Sequence, residues 1–104
     1  MVYRIIRHPL VDDDFYDIAD FISGYSGPAT ALAKVEDIVR AIDNLADFPH
    51  VGSIRNEVFE GLRAIPAGQK GVVCFTIDEE DKTVFIICVT YAGADWSERV
   101  GQRR

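Results

Sequence analysis

The chain has 104 residues, 48% hydrophobic and 27% charged, the make-up of one folded domain spanning 1–104 with a single core. Its net charge of −6 and pI near 4.7 disfavour a broad electrostatic grip on nucleic acid or an anionic membrane, although they leave a local basic patch open. No apolar run approaches the roughly 20 residues of a membrane span. The start, MVYRIIRHP, is too short for a signal peptide and meets a proline at once, so a cytoplasmic location is the expectation.

Val2 to Arg7 reads as a short strand stopped by His8-Pro9, and Pro9 suits the first turn of a helix. Val11, Phe15, Ile18, Ile22 and Tyr25 then recur at steps of four and three, one face of that helix. Asp12, Asp13 and Asp14 fall in its first turn, where the helix dipole favours negative charge; consecutive residues on a helix point in different directions, which argues against a metal site. Ser26-Gly27-Pro28 separates it from a second helix with a wide stripe of Leu32, Val35, Ile38, Val39, Ile42, Leu45 and Ala46, ended by Phe48-Pro49. The short link makes the pair an antiparallel hairpin. Tyr16 and Phe21 lie off the first helix's main stripe, as core-rim residues or partner contacts.

His50 to Asn56 reads as a loop, Glu57 to Ile65 as a strand and Pro66 to Gln69 as a turn. Val72–Ile77 and Val84–Val89, joined by the charged loop Asp78–Lys82, form a β-hairpin. With residue 75 paired to residue 87, Val73, Phe75, Ile77, Phe85, Ile87, Val89 and Tyr91 share one face. Val72, Cys74, Thr76, Val84, Ile86, Cys88 and Thr90 share the other. Both faces are apolar and both need cover. Cys74 and Cys88 are near cross-strand neighbours, so a disulfide is geometrically open, with buried free thiols the preferred reading. After Ala92-Gly93-Ala94-Asp95-Trp96 comes a short polar end, Ser97 to Arg104, with room for one helical turn, whose Arg99, Arg103 and Arg104 read as a solvated tail.

The expected fold is α+β, ordered β-α-α-β-β-β: a four-stranded antiparallel (mixed) sheet with a helical hairpin on one face. Nothing in this plan covers the second face, which is therefore expected to be reserved for another chain.

The ordered landmarks resemble the RelE/ParE superfamily of type II toxin–antitoxin toxins. They are the opening strand running into a proline, Asp17-Ile18-Ala19-Asp20-Phe21-Ile22, Leu45-Ala46-Asp47-Phe48-Pro49, Gly52, Gly61-Leu62-Arg63, the apolar hairpin, and Ala92-Gly93-Ala94-Asp95-Trp96. The resemblance implies one of two activities. RelE-like members cut mRNA on the ribosome with a basic cluster on the sheet and a late aromatic residue, since such chemistry needs cations and a proton carrier. ParE-like members lack that cluster and poison DNA gyrase. Here Arg63 fits the shared Gly-Leu-Arg position, but Gly71-Val72 and Gly93-Ala94 stand where basic residues are common, with Lys70 alone nearby. Trp96, in the region of the late tyrosine, cannot move a proton, and Tyr91 is a phenol of pKa about 10.

The preferred reading is a non-enzymatic ParE-like gyrase inhibitor, neutralised by a ParD-like antitoxin, without direct nucleic-acid or membrane binding. Its expected antitoxin- or target-binding residues are Phe21, Phe59, Arg63, Cys74, Ile86, Cys88, Tyr91 and Trp96. The alternatives are an mRNA endonuclease using Arg63, Lys70 and Tyr91, or a non-toxic antitoxin-binding module. Arg63 could equally be spent in a surface ion pair, and Trp96 on plugging the sheet end. No cofactor is implied, and His8, His50 and the two cysteines show no metal-ligand spacing.

Overall fold

A computed structural model describes residues 2–103, so Met1 and Arg104 of the expected tail lie outside the described residues. The elements are β1 (Arg4–Arg7), α1 (Val11–Ser26), α2 (Pro28–Asn44), β2 (Ser53–Ile54), β3 (Arg63–Ala67), β4 (Gly71–Asp78), β5 (Thr83–Tyr91) and α3 (Trp96–Arg103). The fold is α+β, with a mixed sheet of five strands rather than four, in the order β1-β5-β4-β3-β2. β1 runs parallel to β5, as a strand returning through a helical crossover does, and the other pairs are antiparallel.

Only Arg63–Ile65 of the strand expected over 57–65 is extended. Asn56 Oδ1 accepts the Gly61 N–H at 2.9 Å, and Gly61 takes a φ of 85°, so Val58 and Phe59 lie in a turn instead of a strand. β3 then runs through Pro66, where it has lost its two-residue outer partner β2 and a missing N–H does little harm.

The β4–β5 register departs from the expected one by a single residue. Cys74 pairs with Cys88, but Phe75 pairs with Ile86, leaving Ile87 as a bulge. A one-residue offset moves side chains to the opposite face. Val84 and Ile86 therefore join the helix-covered core with Ile18, Ile22, Ile38, Ile42, Val73, Phe75 and Val89. Phe85 and Ile87 turn to the other side with Cys74 and Cys88.

That other side is not open. Leu62, Val58 and Phe59 from the turn, and Trp96 and Val100 from α3, pack over Ala64, Cys74, Ile87 and Cys88. The expectation of a face reserved for another chain is corrected: the chain supplies its own second cover. α3 starts at a cap, since Asp95 Oδ1 accepts the Glu98 N–H at 3.1 Å and the Ser97 hydroxyl at 2.8 Å. Trp96 and Val100, four apart, form its apolar side.

Candidate functional site

The N-terminal turn of α1 does more than answer the helix dipole. Asp14 is 2% exposed and lies against β5. β1 pairs with β5 only as far as Ile86, whose carbonyl takes the His8 N–H at 2.8 Å. Beyond that point Asp14 Oδ2 accepts the Val89 N–H at 2.9 Å, and Arg103 donates to the Ile87 carbonyl at 3.1 Å. Arg103 also grips both oxygens of Asp14 at 2.6 Å, with Arg99 at 3.4 Å. Arg103, with Arg99 behind it on Asp14, thus closes the sheet edge at the bulge instead of fraying into solvent, and Asp14 is not free to serve a metal. Among the described residues no group of three or more His, Cys, Asp or Glu could hold a metal ion.

Next to this clasp the end of β5 and α1 form a cleft of about 320 Å³, lined by Ile18, Phe21, Thr90, Tyr91 and Arg99. Phe21 is 54% exposed and meets Tyr25 edge-on at 5.3 Å and Tyr91 at 6.3 Å. Burial and a hydrogen bond with Tyr25 push the Tyr91 phenol above its ordinary value, so it is neutral at pH 7 and unsuited to take a proton.

The three residues of the nuclease alternative do not all come together. Lys70 and Tyr91 share one end of the sheet, where the Lys70 carbonyl accepts the Ala92 N–H at 3.0 Å. Arg63 pairs with Phe75, four residues along β4 from Gly71 and so roughly 13 Å away at strand rise. Its guanidinium donates to the Val51 carbonyl at 3.3 Å, not to a carboxylate. Gly71 itself is buried, and a Cβ there would lie 2.4 Å from the Ala67 carbonyl oxygen and 3.3 Å from Ile38 Cδ1. The position refuses any side chain, and an arginine above all.

A second groove runs along the outside of the helical hairpin. Tyr16 is 78% exposed and Leu32 61%, and with Phe15, Ala19, Ala31 and Val35 they line an apolar depression rimmed by Asp12 and Asp20. Leu32 was expected on the core stripe; the helix instead turns it outward, and Ala31 faces inward in its place. The signal for this groove was present in the off-stripe Tyr16 and in the small residues Ala19 and Ala31 that leave space beside it.

The family profile described as "ParE toxin of type II toxin-antitoxin system, parDE" matches residues 5–96. The chain belongs to the ParE toxin family. Solved structures agree on the fold. A chain of the chromosomal ParDE system from P. aeruginosa superposes with a TM-score of 0.74 at 21% identity, covering 88% of this chain and 97% of that one. A chain of the RelBE2 toxin–antitoxin complex from Mycobacterium tuberculosis gives 0.64 at 22% identity, over 88% and 100%. A mutant of the E. coli toxin RelE in the free state gives 0.69 at 12% identity, over 99% and 98%. No curated protein matches the sequence significantly.

Within this ParE chain the expected binding residues separate into two groups. Cys74, Ile86 and Cys88 are fully buried, and Ile86 lies on the helix side of the sheet, opposite to the face expected for it. Phe59 and Trp96 pack over the second core, and the Arg55 guanidinium lies 5.6 Å from the Trp96 ring centre. Phe21 and Tyr91 remain at a surface, beside the cleft.

Proposed function

We propose that this ParE-family chain is a non-catalytic toxin that acts in the cytoplasm on DNA gyrase and is neutralised by a ParD-like antitoxin seated in the groove between α1 and α2. The observation that carries the docking is that groove: exposed Tyr16 and Leu32 over small residues, with acidic rims. Its complement is an amphipathic helix with aliphatic anchors and Lys or Arg flanks. The non-catalytic reading is supported by the separation of Arg63 from Lys70 and Tyr91, and by Gly71 having no room for a cation. Purified gyrase with excess folded toxin should lose supercoiling activity, and added antitoxin should restore it. Unimpaired supercoiling would sink the gyrase target, and codon-linked mRNA ends after induction would return the endonuclease alternative.

A further inference from the structure

Cys74 on β4 and Cys88 on β5 are direct antiparallel partners on the face beneath α3, and both are fully buried free thiols. Opposed residues of an antiparallel pair hold their Cα atoms about 4.5–5.5 Å apart. Disulfides span roughly 4.4–6.8 Å between Cα atoms, so the bond needs no displacement of either strand. The bulge at Ile87 adjoins the pair and adds local twist through which the sulfurs can close. The chain's two cysteines therefore stand within the range of spacings from which they can bridge.

We propose that Cys74 and Cys88 are an oxidation site at which a hydroperoxide installs an intramolecular disulfide beneath α3. Cys88 is the attacking sulfur: it follows Ile87, whose carbonyl holds the Arg103 guanidinium at 3.1 Å, and a neighbouring cation favours a thiolate. A hydrogen bond from the Cys74 thiol holds it below its ordinary value, against burial and the Asp14 charge, with help from Arg103 and Arg99. Cys74 is pushed up by the same hydrogen bond and by burial, and stays protonated.

The Cys88 thiolate attacks one peroxide oxygen and the O–O bond breaks. The leaving oxygen takes a proton, and Cys88 becomes a sulfenic acid. Cys74 then attacks Cys88 Sγ, the S–O bond breaks, and hydroxide leaves with the Cys74 proton as water. Two thiols lose two protons and two electrons, and one hydrogen peroxide becomes two waters. Burial under Val100 makes α3 the gate, and a reducing compartment keeps the pair as thiols until peroxide rises.

The test is made on the full reduced chain, freed of reductant, exposed to hydrogen peroxide and quenched. The expected product is monomeric, lighter by two hydrogens, and closed to maleimide after denaturation until dithiothreitol is added. Its thermal midpoint should rise by several degrees. In Cys74→Ala, dimedone should trap the sulfenic acid on Cys88, while in Cys88→Ala the remaining Cys74 should stay unreactive. A wild-type product that only gains oxygen, that cross-links between chains, or that keeps both thiols overturns the site. Dimedone on Cys74 in the second variant overturns the assignment of the attacking sulfur. The wild-type mass measurement stands even if a variant fails to fold.

Discussion

Asp14 of α1 and Arg103 of α3 are joined by two hydrogen bonds of 2.6 Å, with side chains only 2% and 9% exposed. The pair bridges elements at opposite ends of the chain, and each partner also holds one backbone group of β5 at the bulge. A buried ion pair is by itself weak evidence for stability, because desolvation offsets most of the attraction. Here the pair also satisfies an N–H and a carbonyl that β1 is too short to reach.

Removing one partner should therefore cost more than removing both. Asp14→Ala leaves two arginines facing an empty pocket and should destabilise the fold by about 3–5 kcal/mol. An apolar pair, Asp14→Leu with Arg103→Met, should recover part of that loss. It should still fall short of wild type by about 1–3 kcal/mol, since Val89 N–H and Ile87 C=O lose their partners. Urea midpoints for the three proteins decide it. A double variant as stable as wild type would show that the backbone stitching contributes nothing.

α3 is a cover more than a tail. Val100 is fully buried over Cys74, Ile87 and Cys88, so Val100→Asp places an unpaired charge in that core and should lift the helix. The helical hairpin's own core lies on the other side of the sheet and should stay folded, although weakened, because lifting α3 also withdraws Arg103 from Asp14. Maleimide labelling under native conditions reads the difference: both thiols protected in wild type, and labelled at least about ten times faster in the variant, as local opening predicts. Equal labelling rates would mean that α3 does not gate this face.

The fold class was legible because its strongest signals are long: two helices with steps of three and four, and a hairpin of two apolar runs. What was not legible turned on short-range chemistry. An eight-residue helix with two inward apolar residues, Trp96 and Val100, has too little pattern to separate from a polar tail. Ile87 carries no mark of a bulge, yet that extra residue sends Ile86 to one core and Phe85 to the other. Val58 and Phe59 have strand propensity, but Asn56 and Gly61 close a turn around them. For the site, Phe21 and Tyr91 were legible as surface aromatics. The groove was marked in the sequence only by off-stripe Tyr16 and small Ala19 and Ala31; Leu32's place in it was not legible, because a helix stripe read from spacing does not say where its edge meets solvent.

The groove gives a separable prediction for partner binding. Tyr16→Glu and Leu32→Glu change exposed side chains and should move stability by no more than about 0.5 kcal/mol. As central apolar anchors they should each weaken ParD-like antitoxin binding by about 30-fold or more, on the order of 2 kcal/mol. Phe21→Glu, beside the cleft on the other flank of α1, should leave that affinity nearly unchanged. Calorimetric titration of the three variants is the check. If Phe21→Glu alone weakens binding, the antitoxin occupies the cleft instead.

Gly71 lets the nuclease alternative be tested from the opposite direction. If a missing cation were all that separated this chain from an endonuclease, Gly71→Arg would move it towards mRNA cleavage. The Cβ clash with the Ala67 carbonyl, which is backbone and cannot swing away, predicts disrupted β3–β4 pairing instead. The variant should lose its cooperative melt, followed by circular dichroism, and should yield no cleaved mRNA ends on translated message.

Glu79 at the hairpin tip provides an acid-sensitive reference. Its Oε2 accepts the Tyr3 hydroxyl at 3.0 Å and the Lys82 ammonium at 3.2 Å, while Oε1 meets His50 Nε2. The Tyr3 hydrogen bond foremost, then those of His50 and Lys82, hold its carboxyl below the ordinary value of 4.5. A carboxylate whose folded value is depressed contributes stability that is fully present above its unfolded value. That contribution is lost as pH falls through the folded value. Glu79→Gln should therefore melt below wild type from neutral pH down to about 5, with the gap closing at more acid pH. The group is exposed, so the interval should be small and should shrink as salt is added. Thermal melts across that range, at low and high salt, make the measurement. An interval that persisted in acid would assign Glu79's effect to packing at the hairpin tip, not to its charge.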